Sequence, residues 1–169
     1  MLLGGRCVRC LRARCDASPG GNDACSLRGR APWHDVRMSE HTFRVFPNDR
    51  LMIVRWFGAV TVDEVVAWLE EMISTPGFSP DLDGIVDLRK ADLTRMRPEE
   101  VRVVARLMVE RKLTRGRWVH LTDGPAETAL SMMYSRAVSE QYKMHVFSTL
   151  ESAAEFLGRE VATLRLIAG

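Results

Sequence analysis

Apolar and polar positions alternate from Thr42 to Phe46 and return from Leu51 to Phe57, the period-2 pattern of half-buried strands, with turn residues Pro47-Asn48-Asp49-Arg50 between them. These two runs predict a β-hairpin, which Gly58 is expected to end. Thr61-Val62-Asp63-Glu64 then reads as a helix-opening box, with the Thr61 hydroxyl accepting from the Glu64 amide and the Glu64 carboxylate accepting from the Thr61 amide. Val62, Val65, Val66, Leu69, Met72 and Ile73 follow at helical spacing, and the helix stops before Pro76-Gly77.

Leu82 to Leu88 is nearly continuous in apolar residues, as expected of a central strand covered on both faces. A charged loop, Arg89 to Arg97, follows, and Pro98 with Glu99 and Glu100 opens the next helix. That helix has the stripe Val101, Val104, Ala105 and Met108 and is expected to run on to Gly116. Trp118 to Leu121 is a short strand. Thr122-Asp123-Gly124-Pro125 opens a third helix, which presents Ala126, Ala129, Met132, Met133 and Ala137 and ends near Tyr142. Lys143 to Phe147 is the last strand, and Ser148-Thr149-Leu150-Glu151 is a second capping box. It opens one final helix with the stripe Leu150, Ala153, Ala154, Leu157, Val161 and Leu164. The predicted fold is α/β, a mostly parallel five-stranded sheet with an N-terminal β-hairpin and four helices in the order β-β-α-β-α-β-α-β-α, its first strand antiparallel at an edge.

Charge divides the chain. Residues 1–37 hold seven Arg against three Asp, while the remainder holds 17 Lys and Arg against 19 acidic residues. The predicted domain, 38–169, is thus close to neutral and lacks the basic footprint of a nucleic-acid binder. No apolar run is long enough for a transmembrane helix. Residues 1–37 carry neither hydrophobic period and are read as a disordered or mis-started extension, translation beginning in the second case at Met38. Their four cysteines, Cys7, Cys10, Cys15 and Cys25, are poorly spaced for zinc, and four arginines interrupt any secretory apolar segment. An Arg-rich, acid-poor start also resembles an organelle transit peptide. The rest of the chain has no cysteine, which fits a reducing, cytoplasmic setting.

Candidate chemistry gathers at the carboxyl ends of the predicted strands, where open α/β sheets form their crevice. Asp87, Arg89, Thr122, Asp123 and Ser148 fall there, either as a polar pocket or as helix caps (Asp123, Ser148) and a local ion pair (Asp87 with Arg89). His120 lies beside Asp123 in sequence, but no Ser or Cys completes a triad, so a structural histidine is the expectation. Asp81, Asp83, Asp87 and Asp92 lack the order of a calcium loop and are read as solvated. No cofactor or metal is expected. Met132, Met133 and Met144, with Met108, could line an adaptable apolar face for a ligand or a partner helix.

The phrases LMIVRWFGAVTVDEVVAWLEEMISTPGF, GIVDLRKADLTRMRPEEV and KMHVFSTLESAAEFL, in this order, resemble the bacterial STAS-like proteins of the SpoIIAA-like fold group, over roughly residues 42–158. The resemblance implies the fold just derived and a non-enzymatic, regulatory module that binds another protein through the region after the third strand. A homodimer is an open alternative. Mapped onto this chain, the partner-binding residues are Asp87, Arg89, Asp92, Thr94, Arg95 and Arg97. The phosphoacceptor that such domains carry at the following helix start is missing, because Arg97 stands before Pro98; Thr94 is the nearest hydroxyl. The fold group is also similar to lipid-carrying SEC14-type domains, which implies an apolar ligand on the Met face as the alternative function.

Overall fold

The computed structural model describes residues 40–168. The N-terminal extension, with its cysteines, and Met38 lie outside the described residues. Five strands and five helices follow in the order β1 (Glu40–Phe46), β2 (Leu51–Ala59), α1 (Val62–Ser74), β3 (Asp83–Asp92), α2 (Pro98–Glu110), β4 (Trp118–Leu121), α3 (Pro125–Val138), β5 (Met144–Phe147), α4 (Leu150–Leu157) and α5 (Val161–Ala168). The sheet order is β1-β2-β3-β4-β5. β1 and β2 form the antiparallel hairpin, Glu40 opposite Phe57 and Phe46 opposite Leu51, and every later pair is parallel.

Each crossover steps one strand further in the same direction, and right-handed crossovers of that kind deliver their helices to one face. Side-chain alternation follows. Met52, Val54 and Trp56 of β2, Val86 and Leu88 of β3 and Trp118 of β4 point to the face covered by α1, α2 and α3. Leu51, Ile53, Ile85, Val119 and Leu121 point to the other, covered by α4 and α5. The sheet therefore has a core on both sides, which explains why its central strands are so uniformly apolar.

The Thr61 box forms as expected: the Glu64 carboxylate accepts from the Thr61 amide at 2.8 Å, and the Thr61 hydroxyl accepts from the Glu64 amide at 3.4 Å. The face that α1 buries is Trp68, Leu69 and Met72, whereas Ile73 is exposed. Trp68 stands edge-on to Trp56 and Phe43, and this large aromatic anchor sets the rotation of the helix.

Several boundaries differ from expectation for identifiable reasons. Gly58 does not end β2; at φ 71° it lies inside the strand, opposite Ala91, just after a register shift between Arg55 and Phe57. β3 does not stop at Leu88 but continues to Asp92, so Arg89 and Lys90 are strand residues and the loop begins only at Leu93. α2 ends at Glu110, before Gly116, because Lys112 takes a left-handed conformation and Leu113 turns back to bond the Met108 carbonyl. α3 ends at Val138 rather than near Tyr142.

The single final helix is two, making five helices in place of four. Gly158, at φ 66°, caps α4, and the Arg159 amide reaches the Ala154 carbonyl in a Schellman closure. Leu157 and Leu164 still share one core, so the apolar stripe survives the break between the helices. The cap of α4 is also one residue later than expected: Thr149, not Ser148, accepts from the Ser152 amide at 3.2 Å.

Candidate functional site

The carboxyl rim is uneven because β2 and β3 outrun their neighbours. β4 pairs with β3 only as far as Asp87 opposite Leu121, and beyond that point β3 has β2 alone beside it, through Lys90 opposite Phe57 to Asp92 opposite Ala59. A two-stranded projection results. Its exposed side chains include Arg89, Lys90 and Asp92, and the Lys90 ammonium sits 5.7 Å from the centre of the Phe57 ring.

Asp87 is the fixed point of this rim. Its carboxylate takes a two-pronged contact from the Arg89 guanidinium at 2.9 and 2.7 Å, accepts from the Arg89 amide at 3.2 Å, and has the Arg55 Nε at 3.9 Å. Burial alone would raise the Asp87 pKa, but the Arg89 guanidinium and amide, with Arg55 behind them, outweigh it and hold the carboxyl below its ordinary range. The local ion pair expected from the sequence is therefore present. It forms the floor of a depression of about 410 Å³ whose charged lining is Arg55, Asp87, Arg89, Lys90 and Asp123. Three cations face two anions there, which gives the depression a small positive excess.

Beyond the projection, Asp92 holds a tight turn: its Oδ1 accepts from the Thr94 amide at 2.9 Å and from the Thr94 hydroxyl at 2.6 Å. Arg95 is exposed, and Arg97, the N-cap of α2, bonds Glu100 through its guanidinium at 3.1 Å and its amide at 2.7 Å. Inward from this loop, the buried Glu127 carboxylate accepts from the Leu93 amide at 3.2 Å, tying the start of α3 to the end of β3. Its chain folds over Gly124, the true N-cap of α3, where a Cβ would come within 2.0 Å of the Glu127 oxygen. Asp123 is exposed and is not the cap. Glu127 was not foreseen, although a glycine with a glutamate three positions on is a recognisable pattern.

The four aspartates do not gather at one site, and each has its own partner: Asp81 and Asp83 line one depression at the amino end of β3, while Asp87 and Asp92 lie at the carboxyl rim. Asp81 is paired with Arg115 at 2.9 Å, Asp87 with Arg89, and Asp92 with Thr94. Asp83 is not a solvated loop residue. Its side chain is 13% exposed and holds Arg117 at 3.0 Å and Arg159 at 3.3 Å, while Arg117 also donates to the carbonyls of Phe156 and Leu157. This locks the amino end of β3 to the end of α4.

His120 does not face Asp123. Its Nδ1 lies 3.0 Å from the Ser131 hydroxyl of α3, and its ring stacks on Tyr134 at 5.4 Å. Removal from water pushes its pKa down to about 3. The expected structural role therefore holds, with a different partner. Because the unfolded ring titrates near 6.5, the unfolded chain binds the extra proton first. The residue's contribution is complete above pH 6.5 and is lost as pH falls toward 3, at about 1.4 kcal/mol per pH unit. Urea unfolding between pH 6.5 and 4.5 is expected to lose about 2.5 kcal/mol more in the natural protein than in His120→Gln. Equal losses would refute the assignment.

The methionines do not form one face. Met132 is 49% exposed, Met133 is only partly buried, and Met144 is buried in β5. α3 instead buries Glu127, Ser131, Tyr134 and Val138, with the Tyr134 and Tyr142 hydroxyls 2.6 Å apart. Ser131 needs His120 and Tyr134 needs Tyr142, so polar partners distant in sequence turn the helix away from the methionine face.

No helix among the described residues is long and apolar enough to cross a membrane. No family model matches the chain, and no significant match to it was found among curated proteins.

Proposed function

We propose that this chain is a STAS-like, non-enzymatic module that binds another protein, or a second copy of itself, through the β2–β3 projection, the loop from Leu93 to Arg97 and the start of α2. The single observation that carries the reading is the projection, which carries Lys90 and Asp92 beyond the end of β4, with the exposed Arg95 and Arg97 in the loop that follows it. The sequential five-stranded sheet behind one antiparallel edge strand agrees with the fold that the resemblance implies. The positive excess of the neighbouring depression favours a partner that presents an acidic segment.

Two features argue against a phosphate switch at Thr94. Its hydroxyl and amide are both committed to Asp92, and a phosphate there would meet that carboxylate at close range. The surface on this reading is a constitutive contact. The dispersed methionines remove support for a carrier built on their face. The His120–Ser131 pair has, among the described residues, no third group on the ring's second nitrogen of the kind that orients a catalytic histidine, which gives a hydrolytic reading no support.

Affinity capture from the host, with the natural protein beside the Arg95→Glu/Arg97→Glu double variant, tests the reading. The partner is expected to be lost from the variant while stability stays within about 1 kcal/mol, because both side chains are exposed and only the surface Arg97–Glu100 pair is removed. Retention of the partner by the folded variant would place the contact elsewhere.

A further inference from the structure

The core beneath α1, α2 and α3 is not filled. Trp56, Trp68, Val86, Val104, Trp118 and His120 stand among the walls of a cavity of about 90 Å³. Close packing normally leaves few voids larger than a water molecule, and an engineered void of roughly 150 Å³ is enough to take benzene. Val65, Met96 and Leu130, which with His120 are the part-exposed members of its lining, mark its opening. They follow the carboxyl ends of β2, β3 and β4, the place where open α/β sheets receive ligands.

The polar groups of the lining are what select an occupant. The indole N–H groups of Trp68 and Trp118 are buried without an acceptor. The His120 Nδ1 and the Ser131 hydroxyl lie 3.0 Å apart and bond one another across the lining. Two N–H donors carried by residues of one cavity lining are thus unmatched, and buried donors in native structures are almost always satisfied. No charged side chain lines the cavity, so an ion would be stranded there.

We propose that this cavity is a binding site for a small, uncharged, largely apolar molecule carrying a carbonyl or ether oxygen, which accepts from one or both of the Trp68 and Trp118 indole N–H groups. The cavity borders the protein-contact surface proposed above, sharing Leu93 and Met96 with its loop, but the proposal rests on the cavity's own lining and survives if that contact is refuted. It also differs from a carrier on the methionine face, since Met132, Met133 and Met144 take no part in its lining.

Acetone is a suitable probe, with isobutene as the same shape without the oxygen and acetate as a charged analogue of similar size. In titrations followed by the indole N–H resonances of the full chain, acetone is expected to shift at least one of the Trp68 and Trp118 signals saturably. The hydrocarbon and the carboxylate are expected to bind at least tenfold more weakly. Val104→Phe, which fills the cavity from α2, is expected to abolish the shift; Leu130→Trp, which closes the opening, serves the same purpose should the first variant fail to fold. Absence of any saturable shift would overturn the proposal. So would equal binding of the ketone and its hydrocarbon or charged analogue, or binding that persists in a folded, filled variant.

Discussion

Replacing Gly84 with alanine is expected to destabilise the domain by about 3 kcal/mol and to lower its melting temperature by roughly 10 °C. Gly84 is fully enclosed in β3, opposite Trp118 of β4, and a Cβ built on it falls 2.5–2.6 Å from three atoms of the indole. Trp118 is itself 4% exposed and packed under the helices, so relief requires the indole to give up its contacts and shift toward the cavity it lines. The relief is specific: Gly84→Ala is expected to regain most of its loss when Trp118→Val is added, so the double variant should be more stable than the sum of the single effects implies. Differential scanning calorimetry of the four proteins measures this coupling. Simple additivity would show that the cost at Gly84 lies in the backbone rather than in the indole.

Asp83→Ala is expected to cost about 3 kcal/mol in urea unfolding at pH 7. The aspartate is the joint acceptor for the Arg117 amide, the Arg117 guanidinium and the Arg159 guanidinium, and Arg159 already has its Nε buried without a partner. Its loss strands a largely buried cation, whereas loss of Asp81, whose pair with Arg115 is exposed at both ends, should change little. The two aspartates are only two residues apart, so the contrast isolates burial from chemistry. Comparable losses at both positions would mean that the Asp83 network is no more than surface charge.

The elements most legible in the sequence are those whose two faces meet the core. β3 up to Leu88 and the stripe of α2 announce themselves because burial on both sides, or along one helical stripe, forces an unbroken apolar pattern. The far half of β3 was hidden because Arg89, Lys90 and Asp92 pair with β2 alone and face water, which permits any polar residue. α3 carries small and apolar residues on more than one side, so its orientation rests on the Ser131–His120 and Tyr134–Tyr142 bonds, which are set by tertiary proximity. The break in the last helix was available at Gly158, but the apolar stripe continues across it and masks the turn.

At the rim, the Asp87–Arg89 pair could be read from two positions in one strand, whereas Arg55 and Asp123 join it only through strand register and rim geometry. The cavity under α1–α3 left no local trace, because a void is a property of how residues from six elements, β2, α1, β3, α2, β4 and α3, fail to meet. Its two orphan indoles belong to different elements, Trp68 to α1 and Trp118 to β4.

The central claim is that the β2–β3 projection and the loop after it form a protein contact. Photo-crosslinking in the host tests it most directly, with a benzophenone side chain placed at Lys90 or Arg95 and, as a control, at Arg136 on the exposed side of α3. The account predicts one discrete adduct, of the same mass, from positions 90 and 95 and none from 136. An adduct from position 136 alone, or none from either rim position, would contradict it.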